Sequence, residues 1–309
     1  MILIRGLYNL KEQHRNTVLT IGNFDGVHRG HQAVLNAVTK KAQELGLKST
    51  VMIFEPQPLE FFSSQHAPSR LTRMSEKLQA LSDYGIDQVL LIRFNPDFSS
   101  QTADEFIQNI LIKGLSVKHL FVGDDFCFGK NRQGNFDTLK QAGLNNNFSV
   151  ESLHTIADQS GRYSSTRIRE HLAEGDFEKA EVCLGRSYKM CGRVVHGHAK
   201  GREIGYPTIN IELHRNKSPL LGVYAVRVAG LDDDWIDGVA SIGNRPVIPG
   251  DEHFLLEVFL FDFDRQVYGE HVQVEFIKYI RPELNFDSFD EMRKRIDKDA
   301  LEARAILGH

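Results

Sequence analysis

Two histidines three residues apart, His28 and His31, lie inside the string Gly22-Asn23-Phe24-Asp25-Gly26-Val27-His28-Arg29-Gly30-His31. Residues at i and i+3 share one face if a helix begins there. Two imidazole donors on that face would hold the phosphates of a nucleotide and stabilise charge building on them during group transfer. Gly22, Gly26 and Gly30 let the backbone approach a ligand closely, and free N–H groups at a helix start favour phosphate. A glycine-rich turn with two surface histidines, or a metal pair, would use the same residues. No convincing third and fourth metal ligands accompany them, and the ten-residue string is more specific than its histidines alone.

A second constellation spans Gly197-His198-Ala199-Lys200-Gly201-Arg202-Glu203-Ile204-Gly205-Tyr206-Pro207-Thr208-Ile209-Asn210. Its three glycines and basic residues suit a wrapped polyphosphate. Thr208 and Asn210 point the same way in an extended segment, and both offer oxygen ligands suited to Mg²⁺. A polar loop between strands would account for any isolated fragment of it. Glu257 stands in the apolar run Phe254-Leu255-Leu256-Glu257-Val258-Phe259-Leu260-Phe261. Buried without a partner, its carboxylate would be costly. Facing a polar site, it would accept a proton from a substrate hydroxyl. An outward position on an alternating strand explains it equally well, and the apolar flanks leave the choice open.

The elements needed to position these residues change type along the chain. Val18–Ile21 reads as a strand ending at the glycine turn, Gln32–Leu45 as a helix with Val34, Val38, Ala42 and Leu45 at helical spacing, and Ser49–Phe54 as the next strand. This βαβ unit implies parallel strands. Apolar runs at Gln88–Phe94, Leu120–Gly123 and Phe148–Leu153, with helices at Met74–Tyr84 and Ala103–Ile112, extend it into a doubly wound α/β domain. The histidine turn then falls at the carboxyl end of the first strand, where such folds bind ligands. Beyond about residue 185, Tyr188–Val195, Val223–Val228, Trp235–Ile242, Phe254–Phe263 and His271–Ile280 read as strands of an antiparallel barrel or sandwich. A last helix runs from Ser288 to Leu307, with Ser288 and Glu291 as a capping box and Phe289, Met292, Ile296, Ala300 and Ala303 as its buried face. The expected domains are 1–184 and 185–309.

The string Gly-Asn-Phe-Asp-Gly-Val-His-Arg-Gly-His resembles the nucleotidyltransferase signature of the bacterial bifunctional riboflavin kinase/FAD synthetase family. Phe54-Glu55-Pro56-Gln57-Pro58, Gly123-Asp124-Asp125-Phe126-Cys127-Phe128-Gly129 and Ser164-Ser165-Thr166-Arg167-Ile168-Arg169 resemble further segments of it. The last is a hydroxyl-rich helix entrance whose Arg167 suits a departing pyrophosphate, although an ordinary N-cap would read the same in isolation. The resemblance implies that ATP binds here and that FMN attacks its α-phosphate, giving FAD and pyrophosphate. Gly22, Asn23, Phe24, Asp25, Gly30, Asp125, Ser164, Thr166 and Arg167 would bind the nucleotide around His28 and His31.

Gly-x-x-x-Gly-x-x-x-Gly-Tyr-Pro-Thr-x-Asn is similar to that family's riboflavin kinase signature, as are Gly222-Val223-Tyr224-Ala225 and Ser241-Ile242-Gly243-Asn244-Arg245-Pro246. This implies ATP-dependent phosphorylation of riboflavin to FMN. Gly197, Lys200, Gly201, Pro207, Thr208 and Asn210 would bind nucleotide, Thr208 and Asn210 would hold Mg²⁺, and Glu257 would be the base. Arg281 and the last helix would help close the flavin pocket. The chain departs from the family pattern at Gln57, Cys127, Val247 and Phe259, where histidine, arginine, threonine and histidine are common. Lys130 and Arg132 are candidates for the basic contact absent at Cys127, and read equally as a solvated basic loop. Trp235 is expected to pack the barrel, and His196 and His198 to be loop residues.

Bulk composition adds exclusions. A net charge of −4 gives no general reason to bind nucleic acid or an anionic membrane, and no apolar stretch reaches the length of a membrane span. The three cysteines, Cys127, Cys183 and Cys191, offer neither zinc-type spacing nor a disulfide framework, and fit a reducing cytoplasm.

Overall fold

The computed structural model describes residues 1–153, 156–197, 205–215, 217–244 and 254–309. The chain divides into two compact units, Met1–Ala67 with Met74–Ser164, and Pro68–Arg73 with Ser165–His309.

Six strands form the sheet of the first unit: β1 (Ile2–Arg5), β2 (Thr17–Ile21), β3 (Lys48–Glu55), β4 (Gln88–Arg93), β5 (His119–Gly123) and β6 (Ser149–Leu153). They run parallel in the order β1-β4-β3-β2-β5-β6. The helices are α1 (Arg29–Leu45), α2 (Pro58–Phe62), α3 (Met74–Asp83), α4 (Pro96–Ser99), α5 (Ala103–Phe106), continued by a π-helical stretch at Ile107–Ile112, and α6 (Phe136–Asn146). A short hairpin, β7 (Ala157–Asp158) and β8 (Gly161–Arg162), follows.

Strand β2 is buried along its whole length. Val18 packs with Leu35, Val38 and Ala42 of α1 on one face. Leu19 and Ile21 pack with Ile110, Leu111 and Leu120 on the other. A strand covered on both faces reads as a continuous apolar run, as a parallel sheet requires. The chain leaves β2 toward β3 and β4 on one side, and later adds β5 and β6 on the other. The carboxyl ends of β2 and β5 therefore flank a topological switch point, the crevice where open α/β sheets bind ligands.

In the second unit, α7 (Ser165–Ala173) and α8 (Phe177–Leu184) precede a closed antiparallel barrel. Its strands are β9 (Lys189–Val195), β10 (Thr208–Glu212), β11 (Gly222–Ala229), β12 (Ile236–Asn244), β13 (Phe254–Leu260) and β14 (His271–Arg281). They close in the order β10-β13-β12-β11-β14-β9. Along β13, Phe254, Leu256, Val258 and Leu260 fill the interior, while Leu255, Glu257 and Phe259 alternate outward.

The last helix, Phe289–Leu307, lies on the outer face, with Ala300 and Ala303 against Val223, Ala225 and Val239. Ser288 caps it, its Oγ accepting the Glu291 N–H at 3.2 Å. Its buried face is shifted from the sequence expectation. Phe289 is 62% exposed, and the charged Asp299 joins Ala300 and Ala303 in the buried set. Asp299 is tolerated there because Arg281 donates to both its carboxylate oxygens at 2.6–2.9 Å and Arg295 adds a third donor at 3.0 Å.

Candidate active sites

The turn after β2 is tightly wound. Phe24, Gly26 and Val27 all take positive φ, of 47°, 81° and 42°. A β-branched residue there is a backbone outlier, held because Val27 and Phe24 are fully buried. The turn delivers His28 to the N-cap of α1, where its Nδ1 accepts the His31 N–H at 3.3 Å. The expected common helical face becomes a direct stack, with the two imidazole centroids 3.7 Å apart and the rings within 20° of parallel. Accepting at Nδ1 places the proton of a neutral His28 on Nε2, so Nε2 is a donor.

Phe24 supports the stack, its ring 4.9 Å from that of His31. Asp25 is 3% exposed beneath the turn, Asn23 is half-buried, and the Gly22 N–H donates to the Met52 carbonyl at 3.1 Å. Gly30 sits where a side chain would be crowded. A Cβ there would lie 3.1 Å from His28 Cε1 and 3.4 Å from the Tyr163 carbonyl.

Burial pushes His31 well below its ordinary value, helped by neighbouring His28, Lys77 and Arg162. Its Nδ1 is sealed from solvent without a hydrogen-bond partner among the described residues. Arg162 also pairs with Asp125 of the loop after β5, Nη1 to Oδ2 at 3.3 Å. The unit thus gathers two imidazoles and cationic side chains at the switch point, an arrangement that attracts anions. Ser164 ends this unit, next to the Tyr163 that crosses Gly30. Thr166 and Arg167 belong to α7 in the second unit, where Arg167 Nε donates to His171 Nε2 at 3.3 Å.

Lys77 was not singled out by the sequence reading. It is 1% exposed on α3. Its spacing from Leu81, one helical turn on, was the available signal that it shares the buried stripe. Also missed was the clustering of Phe61, Phe62, Phe94 and Phe98 with Phe54, which pack ring to ring at 5.1–5.8 Å at the carboxyl ends of β3 and β4. Phe62 of this array is 66% exposed. Gln57 is buried beside it in sequence, with Nε2 lacking a partner among the described residues, and Cys127 is a free, half-buried thiol.

On the barrel, Asn210 of β10 stands directly opposite Glu257 of β13, and Glu257 directly opposite Ser241 of β12. Directly paired residues present their side chains to the same face, so Asn210, Glu257 and Ser241 form one row on the outside. The next row holds Thr208 opposite Phe259. Asn210 is buried, and its Nδ2 donates to the Thr208 carbonyl at 3.4 Å. Gly197 makes room for that amide, since a Cβ there would fall 2.3 Å from Nδ2. Pro207 precedes this pair at an exposed position. Lys200, Gly201, His198 and Val247 lie outside the described residues.

Arg281 donates to Asp299 and to the Pro282 carbonyl, pinning the last helix to β14, and one further expectation is corrected. Trp235 is 41% exposed rather than packed in the barrel, with Lys189 Nζ 4.6 Å above its ring. His196, read as a loop residue, stacks on Tyr268 at 3.8 Å. Among the described residues no group of His, Cys, Asp and Glu is arranged to hold a metal ion, and no helix is long and apolar enough to cross a membrane.

The chain thus carries a parallel sheet with a histidine-bearing turn at its switch point and a barrel with an amide–carboxylate row on its outer face, the two features expected of an enzyme that transfers phosphorus groups. Residues 10–167 match the family model of FAD synthetase, and residues 184–307 that of riboflavin kinase. The chain is 47% identical over 309 residues to the bifunctional riboflavin kinase/FMN adenylyltransferase of Escherichia coli strain K12, covering 100% of this chain and 98% of that one. It is 47% identical to the Haemophilus influenzae protein of the same name, with 99% of each chain covered. A solved chain from Streptococcus pneumoniae, described as a macrolide-efflux protein, shares the fold over 97% of each chain with a TM-score of 0.79 and 31% identity. The chain belongs to the bifunctional riboflavin kinase/FMN adenylyltransferase family. It has both activities, producing FMN and FAD.

Proposed function

We propose that riboflavin is phosphorylated on the outer face of the barrel, in the row Asn210–Glu257–Ser241, and that FMN is adenylylated at the histidine turn. The kinase assignment rests on the direct pairing of Asn210 with Glu257. Glu257 accepts the proton of the ribityl 5′-hydroxyl as that oxygen attacks the γ-phosphorus of ATP and ADP leaves. Thr208 and Asn210 supply neutral oxygens beside it. With Nδ2 used by the Thr208 carbonyl, the Asn210 Oδ1 suits a hard cation. Mg²⁺ binds typically through few protein oxygens plus substrate phosphates, and this donor set fits it. Bound there with ATP, Mg²⁺ would offset phosphate charge.

At the histidine turn, a phosphate oxygen of FMN attacks the α-phosphorus of ATP and pyrophosphate leaves. The nucleophile is already anionic, so the turn needs to position and neutralise rather than remove a proton. His28 Nε2, the α1 N-terminus and Arg162 support that reading, together with Asp25, Asn23, Gly22, Asp125 and Ser164 around the turn. The exposed edge of the phenylalanine array suits a flavin ring, which stacks on aromatic surfaces.

The proposed division of labour is 1–184 for adenylyl transfer and 185–309 for the kinase. The ligands are riboflavin, FMN, FAD and ATP, without nucleic acid or membrane. Three cysteines outside any disulfide support a reducing, cytoplasmic setting. Incubation with riboflavin, ATP and Mg²⁺, with products followed by chromatography, should show FMN rising before FAD. Failure to form FMN in folded protein would remove the kinase assignment.

A further inference from the structure

The Tyr206 hydroxyl donates a hydrogen bond to Asp297 Oδ1 on the last helix. Its ring meets Phe259 edge-on, with centroids 4.8 Å apart, and Phe259 is the direct strand partner of Thr208. Pro207, with its restricted φ, is the sole residue between Tyr206 and Thr208. The start of β10 is thereby held at two points, by the strand pairing and by the tyrosine.

The anchor is itself fixed. Asp299, two residues beyond Asp297, is held by Arg281 and Arg295. The residues following Arg281 reach the other wall of the same row, where Glu283 accepts from Ser241 Oγ at 3.3 Å and Ser241 pairs with Glu257. One turn of the last helix therefore braces both the Thr208 side and the Glu257 side of the barrel face.

We propose that Tyr206, anchored by Asp297, is a positioning residue that sets Thr208 for nucleotide binding in the kinase reaction; this rests on the kinase site proposed above. Burial and the Asp297 carboxylate push the Tyr206 hydroxyl up to about 12, so it stays a donor throughout the working pH range.

The test uses the full chain and four variants: Tyr206→Phe, Asp297→Asn, their combination, and Glu257→Gln as a control. Removing a hydrogen bond to a charged group is expected to raise KM for ATP-Mg²⁺ in riboflavin phosphorylation about tenfold for Tyr206→Phe. The kcat and the FMN adenylylation rate should change little. Asp297→Asn keeps an acceptor and should lose less, and the double variant should be no worse than Tyr206→Phe alone. An unchanged KM in Tyr206→Phe, or additive losses in the double variant, overturns the inference while an inactive Glu257→Gln leaves the kinase site standing. Full kinase activity in Glu257→Gln overturns that site and the inference together. A lowered unfolding temperature with unchanged KM marks a purely structural contact and also overturns it.

Discussion

His28 and His31 touch in two ways at once: their rings stack at 3.7 Å, and His28 Nδ1 accepts the His31 backbone N–H at 3.3 Å. The first contact orients both imidazoles. The second caps α1 and, in neutral His28, selects the Nε2-protonated form.

His31 should titrate below its ordinary value of 6.5 because burial, then His28, Lys77 and Arg162, disfavour its charged form. Above 6.5 both folded and unfolded chains hold it neutral. As pH falls below that value the unfolded chain takes up a proton that the fold resists, so stability drops. Histidine NMR titration should place His31 below 6.5. Unfolding measured between pH 7 and pH 5 should show a shallower loss for His31→Gln than for the unsubstituted chain.

Gly30→Ala should impair FMN adenylylation selectively. The added Cβ meets His28 Cε1 at 3.1 Å and the Tyr163 carbonyl at 3.4 Å, and only small shifts could relieve it. A loss of up to about tenfold in kcat/KM for adenylylation is expected, less than the roughly 100-fold that a misplacement of about 1 Å costs. Riboflavin phosphorylation in the same protein should be unaffected.

Phe177 of α8 lies against Tyr224 and Phe276 of the barrel, at 5.8 and 6.2 Å, and is buried. Phe177→Ala should cost the second unit about 3 kcal/mol, measured by denaturant unfolding with riboflavin phosphorylation as the probe. A fragment 165–309, which keeps α7 and α8, should be more stable than 185–309.

Arg281→Met leaves Asp299 buried with only Arg295 beside it. Breaking one side of a buried pair costs about 3–5 kcal/mol, whereas replacing both charged partners with apolar residues costs much less. Arg281→Met should therefore be partly rescued by adding Asp299→Leu, read as a recovery of Tm.

Local signals in the sequence carried most of the fold. Continuous apolar runs marked β2 to β5, because a doubly covered strand has no polar face. Strand β1 was missed because it is a sheet edge in which only Ile4 is fully buried. β10 was recognised as an extended stretch but not as a barrel strand, being five residues long behind a polar loop. The facing of Asn210 on Glu257 is a register between distant segments, which no local pattern specifies. Face errors had the same origin: the apolar side chains of Trp235 and Phe289 gave no sign that both would stay substantially exposed. The histidine string was legible as the turn that opens α1, yet the stacking of its rings depends on the positive-φ turn at Phe24 to Val27.

The central claim is that two separate sites perform the two reactions. Glu257→Ala and His31→Ala, each supplied with ATP and Mg²⁺ and either riboflavin or FMN, test it most directly. The account predicts that Glu257→Ala forms no FMN but converts added FMN to FAD at a near-normal rate, and that His31→Ala accumulates FMN without FAD. Equal damage to both reactions by both substitutions, in protein that remains folded, would contradict it.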